Sequence, residues 1–201
     1  GAGWTAEQMV NQDDDLLDTR PSLALGPDGR PWLAWLGHVA AGERSTGRIL
    51  FARWDPSLSA WTPEQLASSA LGLSVEEGSP SLTVDGQGRL HLAWVANAGG
   101  ATALAHAYWT GSGWVEPQAI RTGVAADTLA LEPGDGQTVF LWLDQSGSPA
   151  PLAQAAVEAT AQPLAAWIDS RPLPEASPVD SVPNRYMAFG DSITCIPACD
   201  P

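Results

Sequence analysis

The stretch Ser22-Leu-Ala-Leu-Gly-Pro-Asp-Gly-Arg-Pro-Trp-Leu-Ala-Trp35 recurs as Ser81-Leu-Thr-Val-Asp-Gly-Gln-Gly-Arg-Leu-His-Leu-Ala-Trp94, and each copy follows a proline, Pro21 or Pro80. A looser third copy runs Leu129-Ala-Leu-Glu-Pro-Gly-Asp-Gly-Gln-Thr-Val-Phe-Leu-Trp142. All three have one grammar. A short alternating segment meets a Gly/Asp turn, and a second apolar segment ends in Trp. Asp28-Gly29 and Gly134-Asp135-Gly136 supply residues that tolerate positive φ, so each copy predicts a β-hairpin.

The repeat extends outward from this hairpin. Ile49-Leu-Phe-Ala-Arg-Trp54 matches Leu104-Ala-His-Ala-Tyr-Trp109 and, weakly, Leu152-Ala-Gln-Ala-Ala-Val157, which predicts a third strand. Trp61-Thr-Pro-Glu-Gln-Leu66 matches Trp114-Val-Glu-Pro-Gln-Ala119 as a fourth, and the chain opens on the same element, Trp4-Thr-Ala-Glu-Gln-Met9. A period near 50 residues with four strands per unit predicts an all-β protein built of β-propeller blades, about three per chain. A Greek-key sandwich would not need such close internal copies. Closed propellers have four to eight blades. The ring is therefore expected to be completed by oligomerisation or by a longer chain. Residues 1–10 are expected to act as the outer strand that locks a ring, and Gln162–Ile168 to begin or finish a further blade.

Composition narrows the partners. The 201 residues carry a formal charge of -14, with 20 Gly and 17 Pro, which suits short strands and turns. Such acidity repels a phosphate backbone and anionic lipid surfaces, so nucleic acid is excluded as a partner and a membrane surface disfavoured. All nine basic residues are Arg, a compositional bias without functional content. No apolar run nears the roughly 20 residues of a membrane span. The chain opens Gly1-Ala2-Gly3-Trp4 without Met and is expected to be a processed product, extracellular in a bacterial-type setting. Cys195 and Cys199 are close enough in sequence for a disulfide, and with no His beside them make a weak metal site.

Ten Trp are unusually many. Trp35, Trp94 and Trp142 recur at one place in the repeat, where large rings pack blade on blade. Trp54, Trp61, Trp109 and Trp114 fall on outer strands or their turns. They are the candidates for stacking on a glycan or another extracellular ligand. Asp13-Asp14-Asp15 with Asp18 lacks the spacing of a calcium loop and reads as a solvated connector. His38, His91 and His106 occupy different repeat positions without metal-ligand spacing, so core or surface roles are expected. No cofactor or metal is expected.

The Pro-Ser-Leu start, the Asp/Gly turn and Leu-Ala-Trp resemble bacterial extracellular propeller repeats of the sialidase-like or lectin-like kind. The strict Asp-box of sialidases is absent and no Arg triad can be assigned, so the resemblance implies binding and not sialidase activity.

Beyond residue 167 the composition changes. Residues 168–184 are Pro-rich (Pro172, Pro174, Pro178, Pro183) and read as an extended linker. Then Arg185-Tyr-Met-Ala-Phe-Gly-Asp-Ser-Ile-Thr194 resembles the first block of the SGNH (GDSL-type) hydrolases, an α/β family of esterases, lipases and carbohydrate deacetylases. By that resemblance Ser192 would be the nucleophile in the turn Gly190-Asp191-Ser192, its N–H part of an oxyanion hole. The family's later Gly, Gly-x-Asn-Asp and Asp-x-x-His blocks are missing, and Cys195 follows where the family often has Gly. A serine without its base is not activated, so this chain alone is expected to be inactive. The expected organisation is a propeller domain over 1–167, a linker over 168–184 and a truncated hydrolase-like segment over 185–201. The leading function is a binding or targeting module from a secreted SGNH-esterase-like protein. The alternatives are a self-assembling protein joined by strand exchange and a serine esterase using Ser192.

Overall fold

The computed structural model describes residues 7–11, 17–41, 44–67, 76–126, 128–133, 138–145, 152–156 and 162–169. Three antiparallel sheets follow one another along the chain. The first blade holds β1 (Thr19–Leu25), β2 (Pro31–Ala41) and β3 (Arg44–Asp55), with β4 (Ala60–Trp61) and β5 (Gln65–Leu66) both paired to β3. The second holds β6 (Glu76–Val84), β7 (Leu90–Ala98), β8 (Ala101–Tyr108) and β9 (Gln118–Thr122) in sequence order. The third shows β10 (Leu129–Pro133), β11 (Thr138–Leu143) and β12 (Leu152–Ala156).

The turns form as their residues dictate. Gly29 N donates to Gly26 O (2.9 Å) and Gly26 N to Arg30 O (2.8 Å), with Gly29 at φ 70°. Asp85, Gly88 and Arg89 repeat the pattern, with Gly88 at φ 78°. A left-handed residue closing a tight hairpin is where glycine avoids steric strain. The third and fourth strands also repeat in register. Trp35 lies opposite Leu50, Trp94 opposite Ala105 and Trp142 opposite Ala153. Trp54 lies opposite Trp61, and Trp109 opposite Trp114.

Alternation along the strands gives each blade two faces. Trp32, Ala34, Ile49 and Phe51 on the back of blade 1 pack against Leu82, Leu92, Trp94 and the small Ala103, Ala105 and Ala107 on the front of blade 2. Ala93, Val95 and Leu104 on the back of blade 2 meet Leu129, Leu131, Phe140 and Trp142 on the front of blade 3. Trp35, Leu50 and Ala52 on the front of blade 1 meet Val10 instead of a further blade among the described residues. The repeated tryptophans thus pack blade on blade at two of their three positions.

A hydroxyl links the innermost strands. Ser22 Oγ accepts from Leu82 N (2.9 Å), and Ser81 Oγ accepts from Leu131 N (2.9 Å). The serine of each Pro-Ser-Leu start therefore binds the backbone of the next blade. Leu131 pairs with Phe140 where Leu82 pairs with Leu92, so the turn in blade 3 is one residue shorter. This corrects the sequence match by one residue: Ala130, not Leu129, occupies the serine position. A side-chain hydrogen bond of this kind contributes about 1 kcal/mol. Ser81→Ala is expected to lower unfolding free energy by about that amount in urea titration, and Ala130→Ser by much less than its opposite. A loss indistinguishable from zero for Ser81→Ala would remove the linking role.

Gln162–Ile168 does not begin another blade. β13 (Gln162–Pro163) adds antiparallel to β9 at the outer edge of blade 2, and α1 (Leu164–Asp169) follows at once. Leu164 N donates to Pro117 O (2.7 Å), and Leu164 and Trp167 bury themselves against the blade 1–blade 2 core. The apolar spacing at Leu164, Trp167 and Ile168 is helical, which the strand-based reading passed over.

Candidate functional site

Two pairs of tryptophans stand at equivalent places on blades 1 and 2. Trp54 and Trp61 meet edge to face with centroids 6.1 Å apart, and Trp109 and Trp114 likewise at 5.5 Å. All four are partly exposed. The second pair has extra company because blade 1 covers it. Trp32 lies 4.9 Å from Trp109, and Phe51 5.5 Å from Trp114, both edge-on. Edge-to-face geometry places the positive ring edge on a negative ring face, which fixes the cluster beyond area burial alone. Arg53, exposed near the end of β3, holds its guanidinium 5.5 Å above Trp32 and 6.0 Å above Trp109. A cation over two rings pins Trp109 from the solvent side.

Trp109 divides two clefts between blades 1 and 2. One, of about 450 Å³, is lined by Asp28, Trp32, Arg53, Arg89 and Trp109 among others. The other, of about 580 Å³, is lined by Phe51, Gln65, Trp109, Ser112, Trp114 and Glu116 among others. The loop beneath them is tightly held. Thr110 Oγ1 donates to Gly113 O (2.8 Å), Thr110 N donates to the same oxygen (2.9 Å), and Gly111 takes φ 101°. The site therefore offers one aromatic partition flanked by amide, hydroxyl, carboxylate and guanidinium groups, all set on strands or short tight loops.

A smaller cleft of about 280 Å³ lies where the innermost strands start, lined by Arg20, Pro21, Pro80, Thr128 and Leu129. Arg20 takes φ 54° at a bulge between Thr19 and Ser22. Among the described residues no carboxylate lines it.

His91 and His106, assigned separate roles from sequence, meet. His106 Nε2 and His91 Nδ1 are 2.9 Å apart in stacked rings, and His91 Nε2 lies 3.1 Å from Asp85 Oδ2. The carboxylate accepts from His91 Nε2–H, so His91 Nδ1 accepts from His106 Nε2–H. Asp85 also accepts from Arg89 N and Nε, both at 2.8 Å. Burial opposes the ionised Asp85, but these donors hold its pKa well below the ordinary value. Burial lowers His91, and burial with the neighbouring His91 pushes His106 down to about 3. His106 also packs edge-on against Phe140, so the relay runs from the β6–β7 turn to the front of blade 3.

The sign of the pH dependence follows. The folded pKa of His106 lies below its unfolded value near 6.5, so its contribution is complete above pH 6.5 and is lost as pH falls toward 3. Between pH 7.5 and pH 5 this amounts to roughly 2 kcal/mol from one histidine. Urea unfolding at the two pH values should show that loss, and His106→Gln should flatten it. An unchanged pH slope in His106→Gln would contradict the relay.

The remaining sequence candidates are placed differently. Asp18 is held by structure, accepting from Trp35 Nε1 (3.0 Å) and Asn11 Nδ2 (2.7 Å). His38 Nδ1 lies 2.7 Å from Leu17 O. No group of three metal-ligating side chains occurs among the described residues. Asp13, Asp14 and Asp15 lie outside them, as do Gly190, Asp191, Ser192, Cys195 and Cys199.

No protein-family model and no curated protein matches the chain. Among solved structures, it is similar to the endo-arabinase from Bacteroides thetaiotaomicron VPI-5482. The TM-score is 0.51 at 14 % identity, over 77 % of this chain and 61 % of that one. The chain thus spans about three fifths of that neighbour. With antiparallel four-position blades stacked front to back, the class is that of the all-β propellers.

Proposed function

We propose that this chain is a carbohydrate-binding propeller module whose ligand lies in the groove between blades 1 and 2, across Trp109. The observation that carries the reading is the placement of Trp109. One partly exposed indole lines two adjoining clefts and is held by Arg53 and three aromatic neighbours. A rigid indole flanked by polar groups suits a sugar ring, which stacks its apolar face and hydrogen-bonds through its hydroxyls. A fold shared with an endo-arabinase supports a polysaccharide partner. The charge of -14 favours a neutral glycan over a uronic-acid polymer.

Trp54 and Trp61 form the weaker half of the proposal, since no second blade builds a groove over them among the described residues. An extracellular location fits this ligand, and no described helix is long and apolar enough to cross a membrane. The Gly190-Asp191-Ser192 block supports a parent protein with an SGNH-type esterase following the linker. In that protein the propeller over 1–167 would hold the glycan that the esterase acts on.

Affinity electrophoresis in gels containing arabinan, other neutral polysaccharides or polygalacturonate tests the binding reading. Retardation by a neutral polymer is expected for the wild type. Trp109→Ala should weaken it at least tenfold with an unchanged circular dichroism spectrum, since stacking on one indole is worth a few kcal/mol. Equal retardation of wild type and Trp109→Ala would refute the groove as the site.

A further inference from the structure

Taking the groove between blades 1 and 2 as the glycan site, on which this rests, we infer that its Arg53 cleft takes a sugar carboxylate. The ligand is then a mainly neutral glycan that carries scattered uronic-acid residues. The chain has 23 acidic residues against nine Arg, so carboxylates are in excess. Arg30, Arg48 and Arg89 pair with Asp28, Glu77 and Asp85 at 3.3, 2.9 and 2.8 Å. Arg53 is exposed, and among the described residues its guanidinium has neither an ion pair nor a hydrogen bond. Asp55, two residues further along the strand, accepts instead from Ser57 N (2.8 Å) and Ser57 Oγ (2.6 Å). The Arg53 guanidinium is held by rings, 5.5 Å above Trp32 and 6.0 Å above Trp109. Attraction to a ring uses the charge and leaves the fork of N–H donors open to a planar, bidentate acceptor.

The charge balance of the cleft points the same way. Among the described residues its charged lining is Asp28, Arg53 and Arg89. Arg30 offsets Asp28, and Asp85 offsets Arg89. What remains is the single positive charge of Arg53, beside the Trp109 wall that the two clefts share. The second cleft has Glu116 as its charged lining, which suits neutral sugar residues and sets the acidic one on the Arg53 side. Screening reconciles this with the overall charge of -14. The field of an exposed charge fades over about 8–10 Å in physiological salt, so a lone carboxylate in the groove meets Arg53 first. A polyuronate lays its other carboxylates along the acidic surface outside and gains nothing comparable.

Isothermal titration calorimetry on the full chain reads the outcome. The probe is gum arabic, an arabinose- and galactose-rich polymer with scattered glucuronate, before and after its carboxyl groups are reduced to alcohols. The wild type should bind the acidic form about fivefold more tightly, the scale of one exposed ion pair of good geometry. That advantage should shrink as salt rises. Arg53→Gln should bring the ratio of the two affinities to one, and Arg53→Lys should keep part of it. Arg121→Gln removes the same charge from an exposed arginine that lies over Trp142 and lines neither cleft, and should leave the ratio unchanged. Equal wild-type affinity for the two forms, or a ratio that survives Arg53→Gln, would overturn the carboxylate site and leave the glycan groove standing. Failure to bind either form or any of the neutral polymers above would overturn both.

Discussion

Arg48→Ala is expected to cost about 3–5 kcal/mol of stability, enough to lower the melting temperature on the order of 10 °C. Arg48 Nε donates to Glu77 Oε2 at 2.9 Å, and both side chains are almost wholly excluded from water. The same carboxylate oxygen accepts from Ile49 N (2.9 Å), so Glu77 on the first strand of blade 2 is tied to the third strand of blade 1. Removing the guanidinium leaves a buried carboxylate without its counter-charge. Replacing both residues, as Arg48→Met with Glu77→Leu, should recover most of the loss, because neither charge then needs desolvating. Thermal and urea unfolding of the two variants decide the point. A cost under about 1 kcal/mol for Arg48→Ala would mean that the pair is not closed in solution. Blade 2 has Ala103 at the position of Arg48. The ion pair therefore marks the joint between blades 1 and 2 specifically, whereas the serine link is common to both joints.

Trp94→Ala should be comparably severe, at about 3–5 kcal/mol, because a fully buried indole leaves a large cavity between two blades. Trp94→Phe should cost far less. Trp94 Nε1 has no hydrogen-bond acceptor among the described residues, so the ring volume and not the N–H is what the joint uses. Trp35 gives the contrast. Its Nε1 donates to Asp18, so Trp35→Phe loses a hydrogen bond that Trp94→Phe does not. Denaturant titration of the two Phe variants should rank Trp35→Phe as the worse. The reverse ranking would contradict the assignment of the two tryptophans to different surroundings.

The blade grammar was legible because it is local. A Gly/Asp turn fixes the hairpin register, and alternation then decides which face each side chain takes. The third and fourth strands could be matched for the same reason, through Trp54 and Trp109 and through Trp61 and Trp114. The turn of blade 3, one residue shorter, shifted its first strand by one position, and the composition of Leu129–Pro133 does not betray that shift. The pairing of His91 with His106 was in principle readable. A hairpin turning at Gly99 and Gly100 puts Ala93 opposite His106, so both histidines share one face two residues apart. They were read as separate repeat positions and not across that turn. Arg48 with Glu77, and Trp32 with Trp109, join different blades. Such contacts depend on how one sheet stacks on another, which no local pattern encodes. Hence the sequence names four candidate tryptophans, but not the groove that sets Trp109 and Trp114 apart from Trp54 and Trp61.

Indole ¹H–¹⁵N signals of the chain titrated with neutral oligosaccharides, arabino-oligosaccharides first, test the central claim most directly. Binding across the blade 1–blade 2 groove predicts that the signals of Trp109 and Trp114 shift with ligand concentration. Those of Trp94 and Trp142, sealed between blades, should stay in place. Saturable shifts confined to other tryptophans would contradict the site, and the absence of any shift across neutral glycans would contradict the carbohydrate-binding function itself.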